Sequence, residues 1–199
     1  MNLADLKKRF EKNGFEASVF ETKEEASEYL NRVIDHTTVG FGGSVGLGEM
    51  GLRESLGKHN KVYYHGDYEN AEEGMNLAKD AEIYVLTANA VAENTGEILN
   101  MDGTGNRVSS TLYGHKKVYM VVGKNKISPD FDSALYRLRN VVAPHNAQRL
   151  HRKTPCAAKA DRCYNCDSPE RICNALVVYY KKMYSQDMEI ILINENLGY

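Results

Sequence analysis

The sequence is notable first for what it lacks. None of its apolar runs is long enough to span a bilayer, and residues 1–8 are too polar for a signal peptide. It has no internal repeat and no linker rich in proline or serine. The net charge of −2 excludes a general electrostatic attraction to nucleic acid or anionic lipid. We therefore predict a single cytoplasmic domain over residues 1–199, with no nucleic-acid or membrane partner.

Cysteine is also scarce, yet the four cysteines are close together. They lie within 18 residues in the pattern C-x6-C-x2-C-x6-C, at Cys156, Cys163, Cys166 and Cys173. Structural disulfides are not the default in a reducing compartment. Four nearby thiolates can instead hold a zinc ion tetrahedrally, or a 4Fe–4S iron–sulfur cluster with one thiolate per iron. The spacing predicts such a site without choosing the metal, and a redox-active Cys163–Cys166 pair or four inert thiols are the alternatives.

Segments typical of strands and of helices alternate as far as residue 142. Residues 83–86 and 118–122 are apolar runs of strand length. This alternation predicts βαβ units, and so an α/β fold with a mainly parallel sheet covered by helices. A helix over 130–142 is expected to end before Pro144. Near the end, 175–183 and 189–193 are strand-like and five residues apart, which predicts an antiparallel β-hairpin.

A glycine-rich loop follows the predicted strand that ends near residue 41. Glycine permits a close approach of the backbone to a ligand, and the edge of a parallel sheet is where ligands commonly bind. We therefore expect Gly42, Gly43, Ser44 and Val45 to bind a small anionic ligand. The alternative is a tight strand-to-helix turn without a ligand, because glycine-rich turns are a weak motif.

A second polar segment, residues 93–107, follows another predicted strand. Glu97 is a candidate general base or nucleophile, and Arg107 is a candidate clamp for a carboxylate or phosphate. Three further polar residues are expected to contact the ligand: Asn100, Asp102 and Asn106. The alternative is a hairpin with Asn/Gly turns and carboxylates on the surface.

Taken together, the residues resemble the LUD (lactate-utilisation, formerly DUF162) domain family. The resemblance is carried by residues 42–45, 100–107, 143–150, 163–174 and 197–199. It implies a three-layer α/β sandwich similar to the NagB/RpiA/CoA-transferase superfamily. The cysteine-rich loop over about 151–174 departs from the C-terminal motif of the lactate-operon members. Members of that superfamily bind sugar phosphates or CoA thioesters at the strand ends. The family name implies a part in oxidising lactate to pyruvate beside iron–sulfur partner proteins.

These observations lead to two principal hypotheses of function. The first is an accessory protein of lactate-type organic-acid oxidation, which binds an iron–sulfur cluster or metal and assembles with iron–sulfur oxidoreductase subunits. The second is an enzyme that binds a sugar phosphate or acyl-CoA, with Glu97 as base, Arg107 as anion clamp and a structural zinc site. A structural or regulatory subunit with a degenerate pocket is a third hypothesis. A homodimer formed through the terminal hairpin is a further expectation.

Overall fold

The computed structural model describes residues 2–199, which form two sheets and the helices around them. The strands are β1 (Glu16–Phe20), β2 (Thr38–Phe41), β3 (Lys61–Tyr63), β4 (Ile83–Thr87), β5 (Ala90–Ala92), β6 (Ile98–Asp102), β7 (Lys117–Gly123), β8 (Ile127–Ser128), β9 (Ala175–Tyr179) and β10 (Asp187–Ile193). The helices are α1 (Leu3–Lys12), α2 (Lys23–Val33), α3 (Val45–Glu49), α4 (Leu52–Leu56), α5 (Ala71–Lys79), α6 (Asn106–Leu112), α7 (Phe131–Arg137), α8 (Ala143–Arg149) and α9 (Pro155–Lys159).

The larger sheet has six parallel strands in the order β1-β10-β7-β4-β2-β3. Its central strands are mainly apolar because both faces are covered, and Val118 to Val122 are almost fully buried. On one face Leu6 and Phe10 of α1 pack into the core. On the other face the core includes Leu30 of α2 and Leu52 of α4. The predicted α/β fold with a mainly parallel sheet between layers of helices is confirmed.

The smaller sheet has four strands in the order β8-β5-β6-β9. β5 and β6 are an antiparallel hairpin joined by residues 93–97. Ile98 and Tyr179 of this sheet are buried in the same cluster as the first face of the larger sheet. Its other side packs on α7 and the following turn through Leu99, Ala134 and Leu138. The smaller sheet therefore holds the end of β6 next to the larger sheet.

The expected C-terminal hairpin is wrong. β9 pairs antiparallel with β6 in the smaller sheet, whereas β10 lies between β1 and β7 in the larger one, parallel to both. The reason is burial: residues 190–193 are fully buried, and an apolar run of this kind belongs in the middle of a covered parallel sheet. The homodimer itself stays a prediction, and it would have to form through a surface other than such a hairpin.

The helix predicted to end before Pro144 also continues further. After α7, the backbone forms a π-helical turn at Leu138–Val142 and passes directly into α8. Pro144 lies in the first turn of α8, where the missing N–H of proline is tolerated. In residues 2–199 no helix is both long and apolar enough to cross a membrane.

Candidate functional site

A small cavity lies at the carboxyl ends of β2 and β4, where the glycine loop faces the residues that follow β4. It encloses about 60 Å³, room for roughly four to six water molecules. Its lining comes from the loop, from α6, from the turn after β7 and from α8: among others Gly43, Ser44, Val45, Thr87, Asn89, Met101, Arg107, Lys126, Asn146, Arg149 and Ile172. We call this cavity the anion pocket, because its charged side chains are cationic.

The glycine loop shapes the pocket in two ways. Gly43, Ser44 and Val45 line it, as expected of ligand-binding residues. The Ser44 hydroxyl is 2.8 Å from the Thr87 hydroxyl and accepts the backbone N–H of Leu47, which fixes the start of α3. Gly42 is not among the lining residues. A Cβ at Gly42 would lie 3.2 Å from Cγ of Arg107, so this glycine makes room for the arginine.

Arg107, the predicted anion clamp, also lines the pocket. Its Nη2 donates to the carbonyl of Thr87 at 3.2 Å, while its buried Nε has no hydrogen-bond partner among residues 2–199. An unpaired buried guanidinium donor is unfavourable unless a ligand accepts its hydrogen bond. Arg107 therefore brings a positive charge to the wall of the pocket, while its Nε is covered by protein atoms.

The polar residues expected beside Arg107 hold the backbone and do not line the pocket. Asp102 is buried; one carboxylate oxygen accepts from the N–H groups of Thr104 and Gly105, both at 3.0 Å, and the other accepts from Val108 N at 3.3 Å. Asp102 thus shapes the turn that begins α6. Asn106 is the first residue of that helix, and its carbonyl accepts from the Ser109 hydroxyl.

Asn100 is buried, and with Asn89 it hydrogen-bonds the backbone after β4 to β6. Its Oδ1 accepts from the backbone N–H of Asn89 at 2.8 Å, and Oδ1 of Asn89 accepts from Met101 N at 2.9 Å. This reciprocal pair fixes the backbone after β4 to β6. Because Asn89 and Met101 both line the pocket, Asn100 positions the wall of the pocket from behind.

Glu97 is separated from Arg107. It lies in the turn of the β5–β6 hairpin, where its Oε2 accepts from the Thr95 hydroxyl at 2.9 Å. Asp102 is at the other end of β6, about 16 Å away for five strand residues. Glu97 does not line the anion pocket, whereas Arg107 does. The structure therefore does not place the predicted base and the predicted anion clamp in one site.

Two cations of the pocket were not among the residues predicted from the sequence. Arg149, at the end of α8, is exposed at the rim. Lys126 is only 4% exposed, and its Nζ donates to the carbonyl of Ala88 at 3.0 Å. Burial, together with the charges of Arg107 and Arg137, lowers the pKa of Lys126 to about 7. The signal that points to Lys126 is its position just after β7, because ligands bind beyond the carboxyl ends of such strands.

Three of the four cysteines surround Arg171. Nε of Arg171 donates to Sγ of Cys173 at 3.1 Å, and its Nη1 donates to the carbonyl of Cys166 at 2.9 Å. The hydrogen bond with Cys173 and the nearby charges of Cys173, Cys166 and Cys163 raise the pKa of Arg171. Cysteine sulfur atoms are the ligands of structural zinc sites and of iron–sulfur clusters. The chemistry of this donor set therefore fits a metal or cluster.

The cysteines are nevertheless not arranged as a closed metal site. The Sγ of Cys156 is 3.3 Å from the Thr154 hydroxyl, on α9 and its cap. In the part of the chain that the structure describes, no group of three or more His, Cys, Asp or Glu side chains has a metal-binding arrangement. All four cysteines are free and partly exposed. Ligation by all four thus requires the loop to close further around a metal.

The cysteine loop, residues 151–174, is joined to the anion pocket. The backbone N–H of Asn174 donates to the carbonyl of Asp102, and its Nδ2 donates to the carbonyl of Gly103, both at 3.0 Å. Ile172 lines the pocket directly. Met101 and Ala143 line both this pocket and a second cavity that contains Cys163 and Cys173. The thiols and the pocket are therefore on two sides of one wall.

Comparison with known proteins supports the fold and identifies the family. A DUF162 family protein from Deinococcus radiodurans is similar over 96% of this chain and 96% of its own, with a TM-score of 0.51 and 12% identity. Ribose 5-phosphate isomerase A from Methanocaldococcus jannaschii is similar over 54% of this chain and 53% of its own (TM-score 0.34, 18% identity). The corresponding values for eIF2B beta from Chaetomium thermophilum are 65% and 44% (TM-score 0.34, 15% identity). A search of curated proteins finds no match. The family model of the LUD domain matches residues 3–193, so the chain belongs to the LUD domain family.

Proposed function

We propose that this protein takes part in the oxidation of a small organic acid of the lactate type, and that it binds the acid or its product in the anion pocket. The family association with lactate utilisation suggests the class of reaction. The observation that carries the proposal is the charge of the pocket. Arg107, Lys126 and Arg149 line it, and no aspartate or glutamate of residues 2–199 does.

The size and donors of the pocket suit a carboxylate on a short carbon chain. About 60 Å³ holds a carboxylate group and the carbon atoms next to it, but it cannot enclose a coenzyme. The guanidinium group of Arg107 lines the pocket and can pair with a carboxylate oxygen, and charge-assisted hydrogen bonds of this kind are among the strongest in proteins. The Ser44 and Thr87 hydroxyls can contact a hydroxyl or carbonyl group of the same ligand.

The cysteine loop is the second part of the proposal. Cys156, Cys163, Cys166 and Cys173 would hold an iron–sulfur cluster or a zinc ion, with Arg139 and Arg171 balancing the charge of the thiolates. A cluster, when bound, would supply electron transfer, and iron–sulfur oxidoreductase subunits would be its partners. The role of this chain's own residues is then to hold the acid beside the loop and to keep the wall of Met101 and Ala143 between ligand and thiols.

The alternative function, binding of a sugar phosphate or acyl-CoA with a structural zinc site, uses the same cations for a phosphate group. It is weakened by the position of Glu97, because the proposed base lies outside the pocket. The remainder of a larger ligand would also have to extend out of the cavity. A phosphate group alone would still fit, so the two functions differ in which ligand binds best.

A ligand panel tests the proposal. We would measure melting temperatures of the purified protein with lactate, pyruvate, inorganic phosphate, ribose 5-phosphate and acetyl-CoA. A ligand at 100 times its Kd stabilises the native state by about 2.7 kcal/mol, which raises the melting temperature by several degrees. We expect the shift with lactate or pyruvate. A shift only with the sugar phosphate or acyl-CoA would favour the alternative, and no shift with any of them would refute both.

Metal analysis tests the cysteine loop independently. We would measure iron, zinc and acid-labile sulfide in protein purified without oxygen, and record its absorption spectrum. Iron with sulfide and a broad absorption at about 400 nm would indicate an iron–sulfur cluster and support electron transfer. Stoichiometric zinc without iron would make the loop a structural site. Protein free of both metals would contradict this part of the proposal.

A further inference from the structure

We propose that Lys126 is a nucleophile that forms an imine with the carbonyl carbon of a 2-oxo acid bound in the anion pocket. The inference rests on the proposed function, because the oxidised product of a 2-hydroxy acid is a 2-oxo acid. It adds a covalent step, a substrate class and a catalytic residue. The lysine, its neighbours and the pocket each support it.

The position of Lys126 places this residue in the wall of the anion pocket. The residue ends the short 3-10 turn Lys124–Lys126, which follows β7 in the centre of the larger sheet. Its side chain is 96% removed from solvent and lines the cavity. Among residues 2–199, its amine has one hydrogen-bond partner, the carbonyl of Ala88. Because an ammonium group can donate three hydrogen bonds, this single partner does not use all of its capacity.

The charges around Lys126 favour the neutral, nucleophilic amine. No carboxylate forms an ion pair with it in the described part of the chain, while Arg107 and Arg137 act on it as like charges. Glu49 is the one group that opposes them. With the pKa of Lys126 lowered to about 7, roughly half of the amine is unprotonated at neutral pH. Lysines desolvated next to another cation are activated for imine formation in this way.

The step needs no oxidant, reductant or metal. The carboxylate of the 2-oxo acid pairs with Arg107, which leaves the neighbouring carbonyl carbon facing the amine. The nitrogen lone pair of Lys126 forms a C–N bond to that carbon, and the carbonyl oxygen becomes a hydroxyl after proton transfer from nitrogen. Loss of this hydroxyl as water gives the imine, so one amine and one ketone yield one imine and one water. Hydrolysis reverses the step.

Reductive trapping tests the inference. The full-length protein is incubated with pyruvate and sodium cyanoborohydride, which reduces an imine to a stable secondary amine. The modified residue is then identified by intact mass and peptide mapping. We expect one pyruvate-derived group for each chain, on Lys126, and none when lactate replaces pyruvate, because lactate has no carbonyl to react.

Two variants provide the matched comparison. Lys126→Met keeps the length of the side chain without the amine and should reduce trapping at least tenfold. Lys124→Met removes an amine from the same turn, where the side chain is only half buried, and should leave trapping unchanged. Circular dichroism melting checks that both variants fold. Equal labelling of Lys124 and Lys126, or undiminished labelling of Lys126→Met, would overturn the inference.

Binding measured without the reductant separates this inference from the proposed function. If pyruvate raises the melting temperature but does not label Lys126, the pocket binds the acid and the imine step is wrong. If pyruvate neither binds nor labels, the inference fails, and the proposed function fails with it when lactate does not bind either. Labelling of Lys126 that saturates with pyruvate and weakens in Arg107→Met supports both.

Discussion

Asn174 and Asp102 join the cysteine loop to the anion pocket through a backbone hydrogen bond of 3.0 Å, from the N–H of Asn174 to the carbonyl of Asp102. The carboxylate of the same aspartate fixes the turn that begins α6 and thereby positions Arg107. One residue thus connects the loop that holds the thiols with the helix that holds the anion clamp. Ligand binding in the anion pocket should therefore alter the backbone of the cysteine loop, and a change in the loop should alter the pocket.

Hydrogen exchange measures this connection. Binding of a carboxylate in the anion pocket should slow exchange of the backbone amides in residues 171–174 by about tenfold, because the bound state suppresses local opening. Residues 67–70, a surface turn outside the pocket, serve as the internal control and should not change. Protection confined to the glycine loop and α6, with none in 171–174, would show that the two sites are independent.

Gly42→Ala should impair binding through Arg107. The new Cβ would lie 3.2 Å from Cγ of Arg107 and from the Tyr84 hydroxyl, so the arginine must shift by a few tenths of an ångström. We expect anion affinity to fall several-fold and stability to fall by about 1 kcal/mol, as for overpacking of a core. Binding is measured by calorimetry and stability by urea unfolding.

Gly48→Ala is the matched control for that change. A Cβ at Gly48 meets no atom within 4 Å, and the residue is within α3. Because alanine favours the helix over glycine, the variant should be about 0.5–1 kcal/mol more stable, with unchanged affinity. If both alanine variants bind equally well, the contact between Gly42 and Arg107 does not determine the geometry of the pocket.

Asp102→Asn should destabilise the start of α6. An amide has one acceptor oxygen and cannot accept all three backbone N–H groups that the two carboxylate oxygens accept now. The loss of a capping interaction of this kind costs about 1–2 kcal/mol. We expect a lower melting temperature together with weaker anion binding. Unchanged stability would show that Asp102 has no structural role in this turn, and would return it to the group of ligand-binding candidates.

The stability of the protein should depend on pH through Lys126. Its pKa is lowered to about 7 in the folded state and is about 10.4 in the unfolded chain, so the unfolded chain binds more protons between these values. The free energy of unfolding therefore rises with pH across this window, by at most about 1.4 kcal/mol for each pH unit. Below pH 7 both states are protonated and the dependence disappears.

The variant Lys126→Met isolates this contribution. Other groups also titrate between pH 7 and 9, so the relevant quantity is the difference in stability between wild type and variant at each pH, from urea unfolding. The variant should be the more stable protein near pH 7, because it buries no amine that must lose a proton. The difference in free energy of unfolding between the variant and the wild type should become smaller towards pH 9. A difference that does not change with pH would contradict the lowered pKa.

The sequence predicts the parallel sheet and the helices that cover it, but not which strands pair with β9 and β10. The run from Val118 to Val122 is apolar on both faces, which is enough to identify a central parallel strand. The run of 190–193 has the same character, but a neighbouring strand-like segment made a hairpin the simplest local interpretation. Pairing of β10 with β1, about 170 residues away, depends on non-local burial that a local pattern does not contain.

The sequence predicts only part of the candidate site, because a local pattern does not contain the distances between residues far apart in the chain. The glycine loop and Arg107 were identified because their residue types suit an anion and both follow strands. Glu97 was grouped with Arg107 because they are close in sequence, whereas the β5–β6 hairpin places them at opposite ends of β6. Lys126 was missed because a lysine in a polar turn resembles a surface residue until the fold buries it. Topology, which sets these distances, had to come from the structure.

Calorimetric titration of pyruvate and lactate at pH 7 tests the central claim, that the anion pocket binds a small carboxylate through Arg107. We would compare the wild type with Arg107→Met and with Arg32→Met, an exposed arginine on α2. The account predicts one saturable site in the wild type, affinity about 10–100-fold weaker in Arg107→Met, and no change in Arg32→Met. Absence of binding to the wild type, or equal affinity in all three proteins, would contradict it.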